Sequence, residues 1–160
     1  MLKKGIRYFL INLIFLKILI IIMSIGSEIF DKQKVGLSGE FFVAAELLKR
    51  NFQVSLTFGN AKSVDLIAFK DELKPLKIQV KTLRSHNSYT VDKSKLKGHY
   101  FIFVVLNKIG EQPTFYIIDC ESILLNLEKF YGSSIGSKRE TINYGSLKLF
   151  KDNWHILDKI

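Results

Sequence analysis

Val64-Asp65-Leu66-Ile67-Ala68-Phe69 and, after a polar interval, Lys77-Ile78-Gln79-Val80-Lys81-Thr82-Leu83 are the two runs on which the reading of the fold turns. Both are short, rich in aliphatic and β-branched residues and bounded by turn-forming composition, as strands are. A strand points successive side chains to opposite faces. In the second run Gln79 and Lys81 therefore share one face, with Ile78, Val80 and Thr82 on the other. In the first, Asp65 shares a face with Ile67 and Phe69. An ionised carboxylate among apolar neighbours is costly unless a cation answers it, and Lys81 is placed to do so. If the interval turns near Glu72, the runs pair antiparallel and Asp65 comes opposite Gln79, within the roughly 5 Å of cross-strand neighbours.

Working outward, residues 52–58 read as a further strand, joined through Gly59-Asn60-Ala61-Lys62 to the run at 63–69, so that 52–58, 63–69 and 77–83 make a meander. Residues 37–50 carry Phe41, Ala44 and Leu48, with Val43 and Leu47 beside them, at helical spacing. Gly36, Ser38 and Gly39 loosen the start of this helix. Lys49, Arg50 and Asn51 fit its last turn, where cations complement the helix dipole. Glu40 lies three, four and seven residues before Val43, Ala44 and Leu47, which turns it toward the inward face. Two carboxylates, an amide oxygen and an ammonium then gather at one place.

Beyond a polar, basic connection at 84–98 come strands at 100–106 and 114–118, the first apolar on both faces and so a central buried strand. Asp119 can cap a helix over 121–130. The tail from Tyr131 is Gly- and Ser-rich, then apolar at Leu147, Leu149, Phe150, Trp154 and Leu157, and is expected to close over the domain, with Cys120 and Trp154 in the core. The expected fold is α/β: a mixed sheet with flanking helices, in the order helix, three strands, two strands, helix.

Val64-Asp65 on one strand and Ile78-Gln79-Val80-Lys81-Thr82 on the next, preceded by the helix that opens with Gly39-Glu40, resemble the PD-(D/E)XK motif of the restriction-endonuclease-like nucleases. The likeness covers about residues 35–118 and is to the branch of Mrr-like nucleases and archaeal Holliday-junction resolvases, in which an acid on the first helix joins the strand acids. Val64 stands where the motif has proline, and Gln79 where it has an acid, as in the Mrr-like Gln-x-Lys form. The resemblance implies a metal-dependent nuclease hydrolysing DNA phosphodiesters; a homodimer is a separate expectation. Glu40, Asp65 and the Gln79 carbonyl supply hard oxygen ligands for Mg2+, or Mn2+ in its place, and Lys81 positions water or offsets developing negative charge. The rival reading is a catalytically inactive nucleic-acid-binding module on the same fold, tethered to a membrane in one version.

The balance of 24 Lys and Arg against 15 Asp and Glu, a net charge of +9, favours a polyanionic partner, nucleic acid or an anionic membrane. Arg84, Lys93, Lys95 and Lys97 are the cations expected to meet phosphate. The plainer alternatives stay open: a solvated basic loop for these cations, a structural Asp65–Lys81 ion pair, and a dipole-favoured carboxylate for Glu40. Ser38 and Thr82 suit ligand contacts and ordinary caps or strand edges equally. His86, His99 and His155 lack metal-ligand spacing and are expected in surface or capping roles.

One cysteine, Cys120, cannot form an internal disulfide, which fits a reducing cytoplasm. Residues 1–30 form an N-terminal apolar segment ahead of a domain at 31–160. Within it residues 8–25 are mostly apolar after Lys3, Lys4 and Arg7, and Asn12 and Lys17 interrupt them. A membrane anchor or interfacial helix, a signal peptide and a true start at Met23 all remain open; in the first case the protein is membrane-associated through residues 8–25.

Overall fold

The computed structural model describes Lys17 and residues 32–57, 64–70 and 74–158. The chain divides after Asp31, and the account below concerns the unit that follows. Apart from Lys17, the apolar run at 8–25 lies outside the described residues. Among the described residues no helix is long and apolar enough to cross a membrane.

Helix α1 spans Lys32–Lys49 and starts five residues ahead of the expected position, so Gly36, Ser38 and Gly39 lie inside it rather than at its entrance. Ser38 Oγ donates to the Lys34 carbonyl at 2.7 Å, the back-bonding that lets serine sit within a helix. Gly39 is buried against Thr82, which offsets the usual cost of glycine in a helix, roughly 0.5–1 kcal/mol. The buried stripe is Gly39, Val43, Ala44 and Leu47. Phe41 and Leu48, expected to share it, are 51% and 58% exposed. At the helix end Arg50 donates to the Glu46 carbonyl and carboxylate and lies over the Trp154 ring, 4.4 Å from its centroid, tying the C-terminal tail to α1.

The strands are β1 (Gln53–Leu56), β2 (Leu66–Phe69), β3 (Leu76–Leu83), β5 (Tyr100–Val105) and β6 (Thr114–Asp119), hydrogen-bonded in the order β1-β2-β3-β5-β6. Neighbours are antiparallel except β3 and β5, which run parallel in the register Gln79↔Phe101 and Lys81↔Phe103. The β1–β2 connection, including Gly59-Asn60-Ala61-Lys62, lies outside the described residues, as does Glu72 at the centre of the next turn. The β2–β3 register, Leu66↔Ile78 and Ile67↔Lys77, is nevertheless the one that a turn near Glu72 requires.

Alternation along the strands builds two cores. Leu66, Ala68, Ile78, Val80, Ile102, Val104 and Ile117 pack under α1 with Val43 and Leu47, joined by Trp154 and Leu157 from the tail. Phe101, Phe103, Val105 and Ile118 face the other way, against Cys120, Ile123, Phe130, Ile142 and Leu147. Strand β5 is buried on both faces, as its uninterrupted apolar run implies. Asp119 caps the following helix through Ser122, but Leu125 and Asn126 interrupt the expected single helix, leaving α2 (Cys120–Leu124) and α3 (Leu127–Tyr131). The tail closes over both cores through Trp154, Leu157 and Leu147, although Leu149 is 80% exposed.

The connection from β3 to β5 is more ordered than its polar composition implies. It contains β4 (Tyr89–Thr90), which pairs antiparallel with β7 (Thr141–Ile142), and a short 3-10 turn at Lys93–Lys95 capped by Asp92. Tyr89, Val91 and Leu96 are its buried anchors, and the Tyr89 hydroxyl donates to the Val104 carbonyl at 3.1 Å. A last short helix, α4 (Tyr144–Leu147), follows β7.

Candidate active site

Asp65 sits on a bend immediately before β2. Its main-chain N–H donates to the Ile78 carbonyl at 2.9 Å, and its carboxylate accepts from the Val80 N–H at 2.7 Å, so one residue brackets Gln79 on β3. From the other side, the Thr57 N–H donates to the Asp65 carbonyl at 3.0 Å. Asp65 is therefore held at the end of the β2–β3 ladder, opposite Gln79 as the pairing argument required. It is half-buried, not enclosed in the core, and Phe69 on its face is 37% exposed. The desolvation cost expected of an enclosed carboxylate is correspondingly smaller.

Gln79 is buried, 7% exposed, on the face that carries Phe101 and Phe103. Lys81 follows on that face and is half-buried. Burial pushes the Lys81 ammonium below the ordinary lysine range; the Asp65 charge opposes this, and Lys95 adds to it. The ion pairs found among the described residues do not include Asp65 with Lys81. Their coupling is through space, and the hydrogen bond to Asp65 comes from the β3 main chain.

Glu40 reaches the same place from α1. Its carboxyl is raised above the ordinary glutamate range, first by burial and then by the Asp65 charge. The approach depends on Gly39: a Cβ there would overlap Thr82 Oγ1 and stand 2.8 Å from Thr82 Cγ2. Composition marks Gly39 only as a helix-loosening residue; its contact with β3 is not legible until the helix is docked. Thr82 Oγ1 is buried and makes no hydrogen bond, so its role is packing against the helix. Ser38 bonds within its own helix.

Asp65 is thus the shared point of the four: Gln79 stands opposite it across the strand pair, and Glu40 and Lys81 each lie within its electrostatic reach. Among the described residues no cluster of three or more His, Cys, Asp and Glu side chains could hold a metal. The donors at this site are instead two carboxylates and an amide oxygen. That set suits an ion that takes one or two protein carboxylates and completes its shell with water, which describes Mg2+ better than a soft or closed-site metal. A bound cation would offset both the burial and the Asp65 charge that raise Glu40.

The other candidates are more dispersed. Lys95 is near enough to Lys81 to act on its charge, whereas Lys93 pairs with Glu140 at 3.1 Å. Lys97 is exposed, and Arg84 lies half-buried just beyond β3. His99, expected near the surface, is 5% exposed with Nδ1 against the Lys97 carbonyl, because it leads into the buried strand β5. His86 and His155 are exposed, the former against the Tyr144 ring.

No family model and no curated protein matches the chain. Among solved structures, the bacterial homing endonuclease I-Ssp6803I superposes with a TM-score of 0.52 at 16% identity, over 79% of this chain and 91% of that one. The Holliday junction resolvase Hjc of the archaeal hyperthermophile Archaeoglobus fulgidus superposes with a TM-score of 0.53 at 13% identity, over 78% of this chain and 97% of that one. The fold is restriction-endonuclease-like. The likeness is one of architecture.

Proposed function

We propose that the protein is a metal-dependent nuclease that hydrolyses DNA phosphodiester bonds at the site formed by Glu40, Asp65, Gln79 and Lys81. The observation that carries this reading is the Asp65 carboxylate held by Ile78 and Val80 opposite a buried Gln79, at the end of the β2–β3 ladder, with Glu40 and Lys81 each within its electrostatic reach. The two structural neighbours, a homing endonuclease and a Holliday junction resolvase, make DNA the favoured substrate over RNA. Fold alone does not carry function, and the site adds what the fold lacks.

Glu40, Asp65 and the Gln79 amide oxygen would hold Mg2+, with Mn2+ as the alternative ion. Bound there, the ion supplies Lewis acidity toward a phosphate oxygen and a more acidic water. The protein's own contribution is placement. The bonds to Ile78 and Val80 fix Asp65, the Gly39–Thr82 contact sets how closely Glu40 approaches, and burial keeps Gln79 in position. Lys81 presents an ammonium where negative charge grows on the phosphate, and its lowered proton affinity also lets it exchange a proton with water more readily than an exposed lysine.

The test is a nicking assay of the purified full chain on supercoiled DNA, with Mg2+ and with chelator. Chelator-sensitive nicking that disappears in Asp65→Ala is expected. Equal activity in that variant would place the chemistry elsewhere. Binding without any nicking would favour a catalytically inactive nucleic-acid-binding module.

A further inference from the structure

The Gly- and Ser-rich segment after α3 has no part in the site above. Residues Gly136–Glu140 face the Lys93–Lys95 turn across a cleft of about 400 Å3, with Thr90 of β4 as a further part of the lining. Glu140 ties the two walls together. Its carboxylate accepts from the Lys93 N–H at 3.0 Å and from the Gly136 N–H at 3.1 Å, and pairs with Lys93 Nζ. These contacts hold the Glu140 carboxyl below the ordinary range, the Lys93 main-chain N–H contributing most. Asp92, the other acid of the cleft, caps the turn through Ser94. The two carboxylates are therefore engaged in holding the walls. Lys138 and Arg139 remain exposed on the loop, Arg139 oriented by a bond from Nε to Thr90 Oγ1 at 3.1 Å.

We propose that this cleft is a second nucleic-acid contact, in which Lys138 and Arg139, flanked by the Ser94 and Ser137 hydroxyls, hold a backbone phosphate away from the one being cleaved. The proposal rests on the nuclease reading for its partner, and Lys95 provides the connection. One three-residue turn carries Lys93 into the cleft wall and brings Lys95 within electrostatic reach of Lys81. With Lys93 paired to Glu140, Lys95 is the cation that stands between the site and the exposed Lys138 and Arg139, as a polyanion contacting both would require. Phosphate contacts of this kind fix orientation without reading bases. The loop's glycines and small polar residues suit it, since they let the main chain approach a strand of phosphates closely.

The experiment uses the full chain, a fluorescein-labelled DNA duplex and chelator to prevent cleavage, with anisotropy read over a range of salt concentrations. Lys138→Gln together with Arg139→Gln should weaken binding about tenfold and lower the salt slope by about one, for the one phosphate no longer neutralised, without changing the melting temperature. Lys108→Gln, which removes an exposed cation outside the cleft, should leave the slope unchanged. Glu140→Ala adds a test of sign: charge counting predicts tighter binding, whereas loss of the tether between the walls predicts weaker binding. An unchanged slope in the double variant, or an equal loss in Lys108→Gln, would overturn the proposal, as would tighter binding by Glu140→Ala. Wild-type binding in chelator followed by no cleavage once Mg2+ is supplied would instead sink the nuclease reading and leave the cleft standing.

Discussion

The Asp65 carboxylate accepts the Val80 main-chain N–H at 2.7 Å, between the two β3 residues, Gln79 and Lys81, that carry the proposed chemistry. One side chain thus serves as a structural acceptor and as a negative charge, and the two roles separate by substitution. Asp65→Asn keeps an acceptor for Val80 and should fold, yet lose metal-dependent nicking. Asp65→Ala also strands the Val80 N–H and should cost a further 1–3 kcal/mol or so. Chemical denaturation read beside the nicking assay distinguishes the variants; equal stability would assign the hydrogen bond no energetic role.

Position 79 tests the ligand set. Gln79→Glu replaces a neutral amide with a carboxylate of nearly the same shape, so less metal should saturate the site, read by titrating Mg2+ or Mn2+ against thermal stability. Lys81→Ala should leave that titration in place while lowering nicking by about 10²–10³-fold, the loss typical of removing one preorganised charge. A Lys81→Ala variant that lost metal response in the same proportion as activity would contradict the division of roles.

Glu40 gives a pH signature. Burial, with the Asp65 charge beside it, raises its proton affinity in the folded chain above that of an ordinary glutamate, so without metal its ionised form disfavours the native state. That penalty is absent below about pH 4.5 and grows as pH rises through the folded value. Glu40→Gln should therefore melt higher than wild type at neutral pH in chelator, with the difference vanishing toward pH 4. With saturating Mg2+ the order should reverse, because the variant has lost a ligand.

The close approach at Gly39 predicts a packing defect. Gly39→Ala drives a methyl into Thr82 and should cost about 1–3 kcal/mol, the range for overpacked sites. Adding Thr82→Ala removes Oγ1 and Cγ2 but leaves the Thr82 Cβ, 2.9 Å from the new methyl, so recovery should be partial. Activity should fall further than stability in the single variant, since α1 carries Glu40. Full activity in a destabilised Gly39→Ala would disconnect the contact from the site.

A chain beginning at Met23 should fold, because the two cores draw on residues from Val43 onward and α1 begins at Lys32. Circular dichroism and a cooperative melt would establish this; an unfolded chain would refute it.

Period-two alternation gave away Gln79 and Lys81 because both interrupt one face of an otherwise apolar strand, and the spacing about Glu72 gave away their pairing with Asp65. What the sequence hid depends on partners far along the chain. Gly39 has no visible purpose until Thr82 stands against it. Strand β4 is too short to show a period, and β7, its partner, lies beyond two more strands and two helices. Phe41 and Leu48 misled for a different reason: helical spacing identifies a stripe but does not say which stripe the sheet will cover. Lys138 and Arg139 resemble any solvated pair until Glu140 is seen joining their loop to the Lys93–Lys95 turn.

The β4–β7 ladder is only two residue pairs long and joins segments about fifty residues apart. It closes a long loop for little return, whereas the five-stranded sheet is locked by β5, buried on both faces. The amides of Tyr89–Thr90 and Thr141–Ile142 should therefore exchange with solvent by local opening well before those of Tyr100–Val105. Whatever settles in the cleft would slow that exchange, so this short ladder would become a sensor of its occupancy.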